Sequence, residues 1–273
     1  NRFIKGIIII KMAHNKAFLV SFFLSVFLFS AASAVKEFLV AKAAGADAEC
    51  VLSAGDFNEI KSAQGNVGID YQLRILLELK VRRGLLLQTV DCATDELQKL
   101  QSDFSAQAAG QDAKDIKLQF ASWFSNTLNY YDLERNKIGS LGLQGSKDFA
   151  RGLKSWRDGN YKPMAKIISN AILWSQNQEL MQIAKNRVRQ AGYLIELVKD
   201  SSEYWDIRGL MREAENEMNS AVFFNQQAKN MLKTYAPADE SLAVIKTSLK
   251  SLAEAYKKLF EVMKATNRAL VEK

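Results

Sequence analysis

Histidine is almost missing from this chain: of 273 residues only His14 is one. Everything after residue 34 therefore lacks the imidazole that activates a Ser-His-Asp or Cys-His nucleophile. It also lacks the ligand of His-bound zinc or haem and the Glu-x-x-His pairs of di-iron helical proteins. No metal and no cofactor are expected, and no catalytic residue can be assigned, so the expectation is a protein that is not an enzyme. Ser-Lys or carboxylate-pair chemistry is not excluded by composition, and a histidine-free glycan-cleaving enzyme would need two inward carboxylates about 5–10 Å apart. Glu213, Glu215 and Glu217 are close in sequence, but i and i+2 diverge on a helix and read as a solvated face.

Other shortages point the same way. Two prolines and few alternating β-branched runs leave little to break helices or build strands. No zinc-finger spacing or RNA-binding aromatic motif is present. The stretch Gly139 to Lys147 is glycine-rich, but it lacks the Gly-Lys-Ser/Thr ending of a phosphate loop and reads as a plain loop. After residue 34 there are fourteen asparagines and no Asn-x-Ser/Thr acceptor, a mild sign of bacterial origin.

What is present begins with a leader. Met12 opens a short basic stretch through Lys16. An apolar segment runs from Ala17 to Phe29, and Ala32-Ser33-Ala34 supplies a small-x-small cleavage site. Residues 1–11 read as translated upstream sequence. The apolar segment is 13 residues long, short of the ~20 that span a bilayer. The rival is an uncleaved anchor extending through Ala34. Cleavage is expected before Val35, with the product in the periplasm or, alternatively, secreted. The membrane would then be met only through the leader. Without residues 1–34, 33 Lys+Arg face 30 Asp+Glu, a near balance that argues against nucleic acid as a partner.

Residues 35–273 are rich in Ala, Leu, Lys, Gln and Glu, the good helix formers, and the fold class is all-α. Helices are expected over 35–44, 47–63 (with an interruption near Ala54 to Phe57), 70 to about 109, 112 to about 137, and 147–157. Asp158-Gly159-Asn160-Tyr161 reads as a turn before Pro163, the start of a long helix to about Lys199. Asp200 and Glu203 form a capping box for a helix to about Tyr235. Pro237, Asp239 and Glu240 open the last helix, where the acids suit the dipole. Over 70–109 Leu76, Leu79, Leu86, Val90, Ala93, Leu97, Leu100 and Phe104 follow three-four spacing that Arg83 alone interrupts; over 71–81 a period-two pattern competes, with Arg82-Arg83-Gly84 as its hairpin turn.

The last helix carries a heptad-like stripe at Leu242, Ile245, Leu249, Leu252, Tyr256, Leu259, Met263, Thr266 and Leu270. The helix before it carries one at Leu210, Ala214, Ala221, Phe224, Ala228 and Met231, with Glu217 at the odd position. Short links favour antiparallel neighbours. An elongated antiparallel bundle with coiled-coil-like helices is expected, as a single domain over 35–273 with a possible sub-boundary near 139–162. The C-terminal helix is a candidate for self-association. The alternative is a short α-solenoid. Gly55-Asp56-Phe57 and Gly159-Asn160-Tyr161 each resemble the inter-helix turn of a tetratricopeptide repeat, although Met164 stands where that repeat wants Ala and no 34-residue period runs along the chain.

Cys50 and Cys92 are expected to form a disulfide in an oxidising compartment. Trp123, Phe124, Tyr130, Tyr131, Trp156 and Tyr161 share a window with Arg151, Lys154, Arg157, Lys162 and Lys166. Within it, Arg151, Lys154 and Arg157 recur every three residues, with Trp156 beside them and Tyr161 at the next turn. This is the candidate partner-binding surface. The functional expectation is an exported, non-enzymatic helical protein that binds another protein or an envelope component. A small-ligand sensor or carrier with a pocket between helices is the alternative.

Overall fold

The computed structural model describes residues 54–65, 70–107 and 111–271. The fold is all-α. The helices are α1 (Ala54–Gly65), α2 (Tyr71–Gln107), α3 (Gln111–Ile138), α4 (Leu143–Trp156), α5 (Lys162–Glu196), α6 (Tyr204–Lys233) and α7 (Ala238–Val271), with a π-helical stretch, Arg157–Tyr161, between α4 and α5. The expected helices before Ala54, the leader and Cys50 lie outside the described residues. These residues divide into two compact units. One draws on Ala43–Ser175 and Met231–Ser241, the other on Gln176–Asn230 and Leu242–Lys273, so the divisions fall inside α5, α6 and α7.

In the unit containing α2, Leu86, Val90, Ala93, Leu97, Leu100 and Phe104 are all buried, the stripe expected from the three-four spacing. The hairpin alternative over 71–90 is excluded, because α2 runs unbroken through Gly84. Leucine, lysine, arginine and glutamate pack poorly on a pleated surface, and a period-two run of them is not enough to make one. Nearer its start α2 departs from the stripe. Leu76 is exposed and Glu78 is buried instead, held by Arg82 Nε at 2.7 Å and by Gln64 Nε2 of α1 at 2.9 Å. Arg83, which interrupts the stripe, donates through Nε to the Leu141 carbonyl at 2.9 Å. It ties α2 to the link between α3 and α4. α2 packs against α1, α3 and α4, and Phe104 meets Phe120 of α3 edge-on at 5.6 Å.

The turn expected at Asp158 to Tyr161 is a correction. The backbone stays helical, and the Lys162 N–H reaches back five residues to the Arg157 carbonyl. Pro163 supplies the reason. It has no N–H for the carbonyl four residues back, and its ring crowds that carbonyl. A wider π turn just upstream accommodates the missing bond without ending the helix. α4 also starts earlier than expected, at Leu143 rather than Lys147. The Asp200–Glu203 box does not start α6 where it was placed. Successive i→i−3 turns, Leu197 to Leu194, Val198 to Ile195, Ser201 to Val198 and Tyr204 to Ser201, occupy this link. Glu203 becomes the residue before the helix, its carbonyl accepting from Ile207 N–H at 3.0 Å.

α6 closes with a Schellman motif. Tyr235 has φ of 53°, Ala236 N–H bonds the Met231 carbonyl at 3.0 Å and Tyr235 N–H bonds Leu232 at 3.3 Å. That left-handed position normally goes to glycine. Here its cost is offset by the tyrosine ring, edge-on to Phe120 at 5.7 Å.

In the other unit, parts of α5, α6 and α7 pack around one core with alternating direction. Met181, Ala184, Met218, Ala221, Leu252 and Ala255 form one cluster. Ala191, Ile195, Val198, Ile207, Met211, Ala214, Leu259, Val262, Met263 and Ala269 form a second. Both expected seams are met at about half of their positions: Ile245, Leu252, Leu259, Met263 and Thr266 of α7 and Ala214, Ala221 and Ala228 of α6 are buried as expected. On α7, Ser248, Ala255, Val262 and Ala269 are buried with them and form one line. Leu249, Tyr256 and Leu270 only flank it. On α6, Met211, Met218 and Asn225 lie inside where Leu210, Glu217 and Phe224 were expected. Small residues let helices approach closely, and the larger neighbours then wrap the rim. One buried layer is polar: Asn177 Nδ2 donates to Asn225 Oδ1 at 3.0 Å and to Ser248 Oγ at 2.8 Å, and Ser248 donates to the Ala221 carbonyl at 2.7 Å. Such a layer fixes the register of neighbouring helices.

Candidate functional site

The π stretch turns Arg157 and Tyr161 inward together. Arg157 is 8% exposed and Tyr161 1%. Arg157 Nη2 meets Glu96 Oε2 of α2 at 2.6 Å, with both side chains about nine-tenths buried. Its Nη1 donates to the Tyr131 hydroxyl of α3 at 3.1 Å, and its guanidinium lies 4.8 Å over the Tyr161 ring. Aromatic rings close around it: Trp123 stacks on Tyr161 at 5.9 Å, Trp156 stands edge-on to Tyr131 at 5.6 Å, and Trp156 stacks on Tyr130 at 3.8 Å. A guanidinium suits this place because it is planar, weakly hydrated and able to face a ring while bonding a carboxylate.

The electrostatics favour holding charge in place. Burial pushes the Tyr131 phenol up to about 12, partly opposed by Arg157 beside it. Burial, then the Glu96 carboxylate, pushes the Tyr161 phenol further still. Burial alone would lower Arg157, but the Glu96 bond outweighs it and the guanidinium stays charged. Neither tyrosine is then a base or nucleophile near neutral pH. The arrangement can clamp four elements together.

Arg151, Lys154 and Arg157 were expected to share one exposed face, with Trp156 turned partly away and Tyr161 at the following turn, and the structure separates the three. Arg151 and Lys154 are exposed, each with an acid neighbour: Asp148 for Arg151, and Asp158 at 2.5 Å for Lys154. Lys162 joins Asp158 from the other side at 3.0 Å. Trp156 is half-buried, while Arg157 and Tyr161 are buried. The three-cation face is therefore a correction: two cations reach the surface, and the third is the hub of the interior. Steps of three drift around a helix, and Arg157 falls four residues after the buried Leu153, on the inward face of α4. Glu96 was not singled out beforehand. Its only signal was its place on the rim of the α2 stripe, beside Ala93, Leu97 and Leu100.

A different group of large apolar residues reaches solvent. At the link between α5 and α6, Trp205 is 77% exposed, Tyr193 70% and Leu197 44%. Their neighbours are fixed: Tyr204 packs on the core and stands edge-on to Trp205 at 5.2 Å, and Arg208 pairs with Glu196 at 3.7 Å. No known protein family, curated protein or solved structure matches this chain. Among the described residues no helix is long and apolar enough to cross a membrane, and no cluster of three or more His, Cys, Asp or Glu could hold a metal ion.

Proposed function

We propose that this protein is exported and works by binding a protein or another envelope component, without catalysing a reaction. The export half rests on the leader from Met12 to Ala34 and the small-residue cleavage site ahead of Val35. The binding half rests on one observation. Trp205, the most exposed large apolar side chain among the described residues, sits with Tyr193 and Leu197 around a link whose neighbouring residues are anchored by Tyr204, Ile207 and Val198. Tryptophan and tyrosine carry a disproportionate share of interface energy, since they bury much area at small entropic cost. Held on a rigid scaffold, they bind without first paying to be ordered.

This reading moves the partner-binding surface from the 151–161 window to the α5–α6 link. Arg151 and Lys154 lose that role in this reading. Surface charges already facing Asp148 and Asp158 add little affinity and are screened by salt. The test compares recovery of the partner from envelope fractions by the parent and by Trp205→Ala with Tyr193→Ala. Loss of recovery in a folded double variant is expected. Equal recovery by that variant, with loss on replacing Arg151 and Lys154, would return the surface to the earlier window.

A further inference from the structure

The outward face of α7 is a row of cations. From Leu242 to Val271 the helix carries Lys246, Lys250, Lys257, Lys258, Lys264 and Arg268 against only two acids, Glu254 and Glu261. At about 100° per residue, Lys246, Lys250, Lys257, Lys264 and Arg268 fall within about 40° of arc. They face away from the buried Ser248, Leu259 and Thr266, and all five are exposed. The row extends about 33 Å at the helical rise of ~1.5 Å per residue. Neither acid sits on it. Glu254 and Glu261 lie half-buried on one flank, where they meet Lys257 at 3.6 Å and Lys258 at 3.5 Å. Lys258 itself turns to Glu213 of α6 at 2.8 Å. Among the described residues Lys246, Lys250, Lys264 and Arg268 form no ion pair. Lys246 with Lys250, and Lys264 with Arg268, are like-charge pairs at i,i+4, a spacing that costs stability unless something anionic lies above it. Ala253, Phe260 and Val271 fill gaps on the same outward face, and all three are exposed.

We propose that α7 lies with this face against an anionic phospholipid surface, without crossing it. A bilayer surface is flat and continuous in charge, so a straight row of cations meets phosphates along its whole length. The lysine stems lie along the apolar boundary while their ammonium groups reach the headgroups, and Phe260 enters the boundary between them, as aromatic side chains do in helices that rest on membranes. A nucleic-acid duplex presents its phosphates on a spiral, which a straight row follows for only part of its length. An acidic protein would need carboxylates matched to this one spacing. The row is separate from the Trp205 surface and does not rest on it. It adds a membrane contact to the one expected from the leader.

The test measures co-sedimentation of the protein recovered from cells with vesicles of equimolar phosphatidylcholine and phosphatidylglycerol, and with vesicles of phosphatidylcholine alone. Binding to the anionic vesicles only is expected, with loss on raising salt from ~0.1 M to ~1 M. Each basic residue near an anionic surface strengthens binding about fivefold, so Lys246→Gln, Lys250→Gln and Lys264→Gln together should weaken it roughly 100-fold. These substitutions are at exposed positions with a good helix former, and unchanged helicity by circular dichroism confirms the fold. Lys80→Gln, Lys99→Gln and Lys185→Gln, exposed cations on other helices, remove the same charge and should leave binding nearly intact. So should Trp205→Ala with Tyr193→Ala. Equal weakening by both lysine triples would reduce the effect to net charge and overturn the proposal. Binding that survives loss of the row, or that the Trp205 variant abolishes, would overturn it as well. Self-association that disappears with the row, without vesicle binding, would assign this face to a second copy instead.

Discussion

Replacing Arg157 by Ala tests the interior hub most sharply. The substitution removes a cation 2.6 Å from Glu96 and 3.1 Å from the Tyr131 hydroxyl, in a place where both charged side chains are about nine-tenths buried. It leaves Glu96 buried without its cation and empties the space under the Tyr161 ring. Breaking one partner of a buried ion pair costs about 3–5 kcal/mol, and for a chain of this size each kcal/mol lowers Tm by roughly 2–4 °C. Arg157→Ala is thus expected to lower the transition that reports on Trp123 and Trp156 by about 6–20 °C. Glu96→Gln should cost less, since its amide oxygen can still accept from the guanidinium. The double variant Arg157→Met, Glu96→Leu should recover most of the loss, because no charge then remains buried. The assay is thermal and urea unfolding followed by tryptophan fluorescence, with the coupling energy taken from the mutant cycle. A loss under ~1 kcal/mol for Arg157→Ala, or no coupling to Glu96, would refute the reasoning.

Other outcomes follow from the same geometry. Gly84 and Gly159 lie inside continuous helical backbone, and a Cβ at either meets open space. Gly84→Ala and Gly159→Ala should each stabilise by about 0.5–1 kcal/mol in urea melts, whereas a hairpin or turn at either site would make alanine destabilising. Burial raises the Glu78 carboxyl, but bonds from Arg82 and Gln64 outweigh it and hold it below the usual range. Its stabilising contribution is therefore full above the unfolded value of about 4.3 and lost as pH falls through the lower folded value. Glu78→Gln should flatten the acid limb of a stability–pH curve. Tyr131 works in the opposite sense. Raised to about 12, it contributes stability below pH ~10 that is lost as pH climbs toward the folded value, and Tyr131→Phe should shift the alkaline unfolding limb. Asn177→Ala strips a donor from Asn225 and Ser248 and should cost about 1–3 kcal/mol by the same melts.

The legible part of the fold was the part that repeats. Leu86 through Phe104 announce α2 because apolar residues fall at every inward position, and that stripe is the one the structure buries. The α7 stripe was legible in period and at one of its two alternating positions, Ile245, Leu252, Leu259 and Thr266. Counting large residues chose Leu249 and Tyr256, while close packing put Ser248 and Ala255 at the centre. A serine looks polar in sequence, yet its hydroxyl vanishes into a helix seam once it bonds a backbone carbonyl, as Ser248 does with Ala221. The candidate site was half legible. Aromatic density between 123 and 161 marked a real cluster, but burial of Arg157 depends on Glu96, 61 residues away, and on the Tyr131 hydroxyl, 26 residues away. Neither fact leaves a periodic trace. The exposed Trp205 was invisible for a related reason: on a helix whose inward positions are already filled, an additional tryptophan looks like one more core residue.

Site-directed photo-crosslinking at position 205, in cells that express the full chain, tests the central claim most directly. A photoreactive amino acid in place of Trp205 should give a defined adduct in the envelope fraction, on protein whose N-terminus is Val35. The same group at Asn216, an exposed position on α6 away from the link, should give none. No adduct at 205, or a protein that stays in the cytoplasm with residues 12–34 attached, would contradict the account.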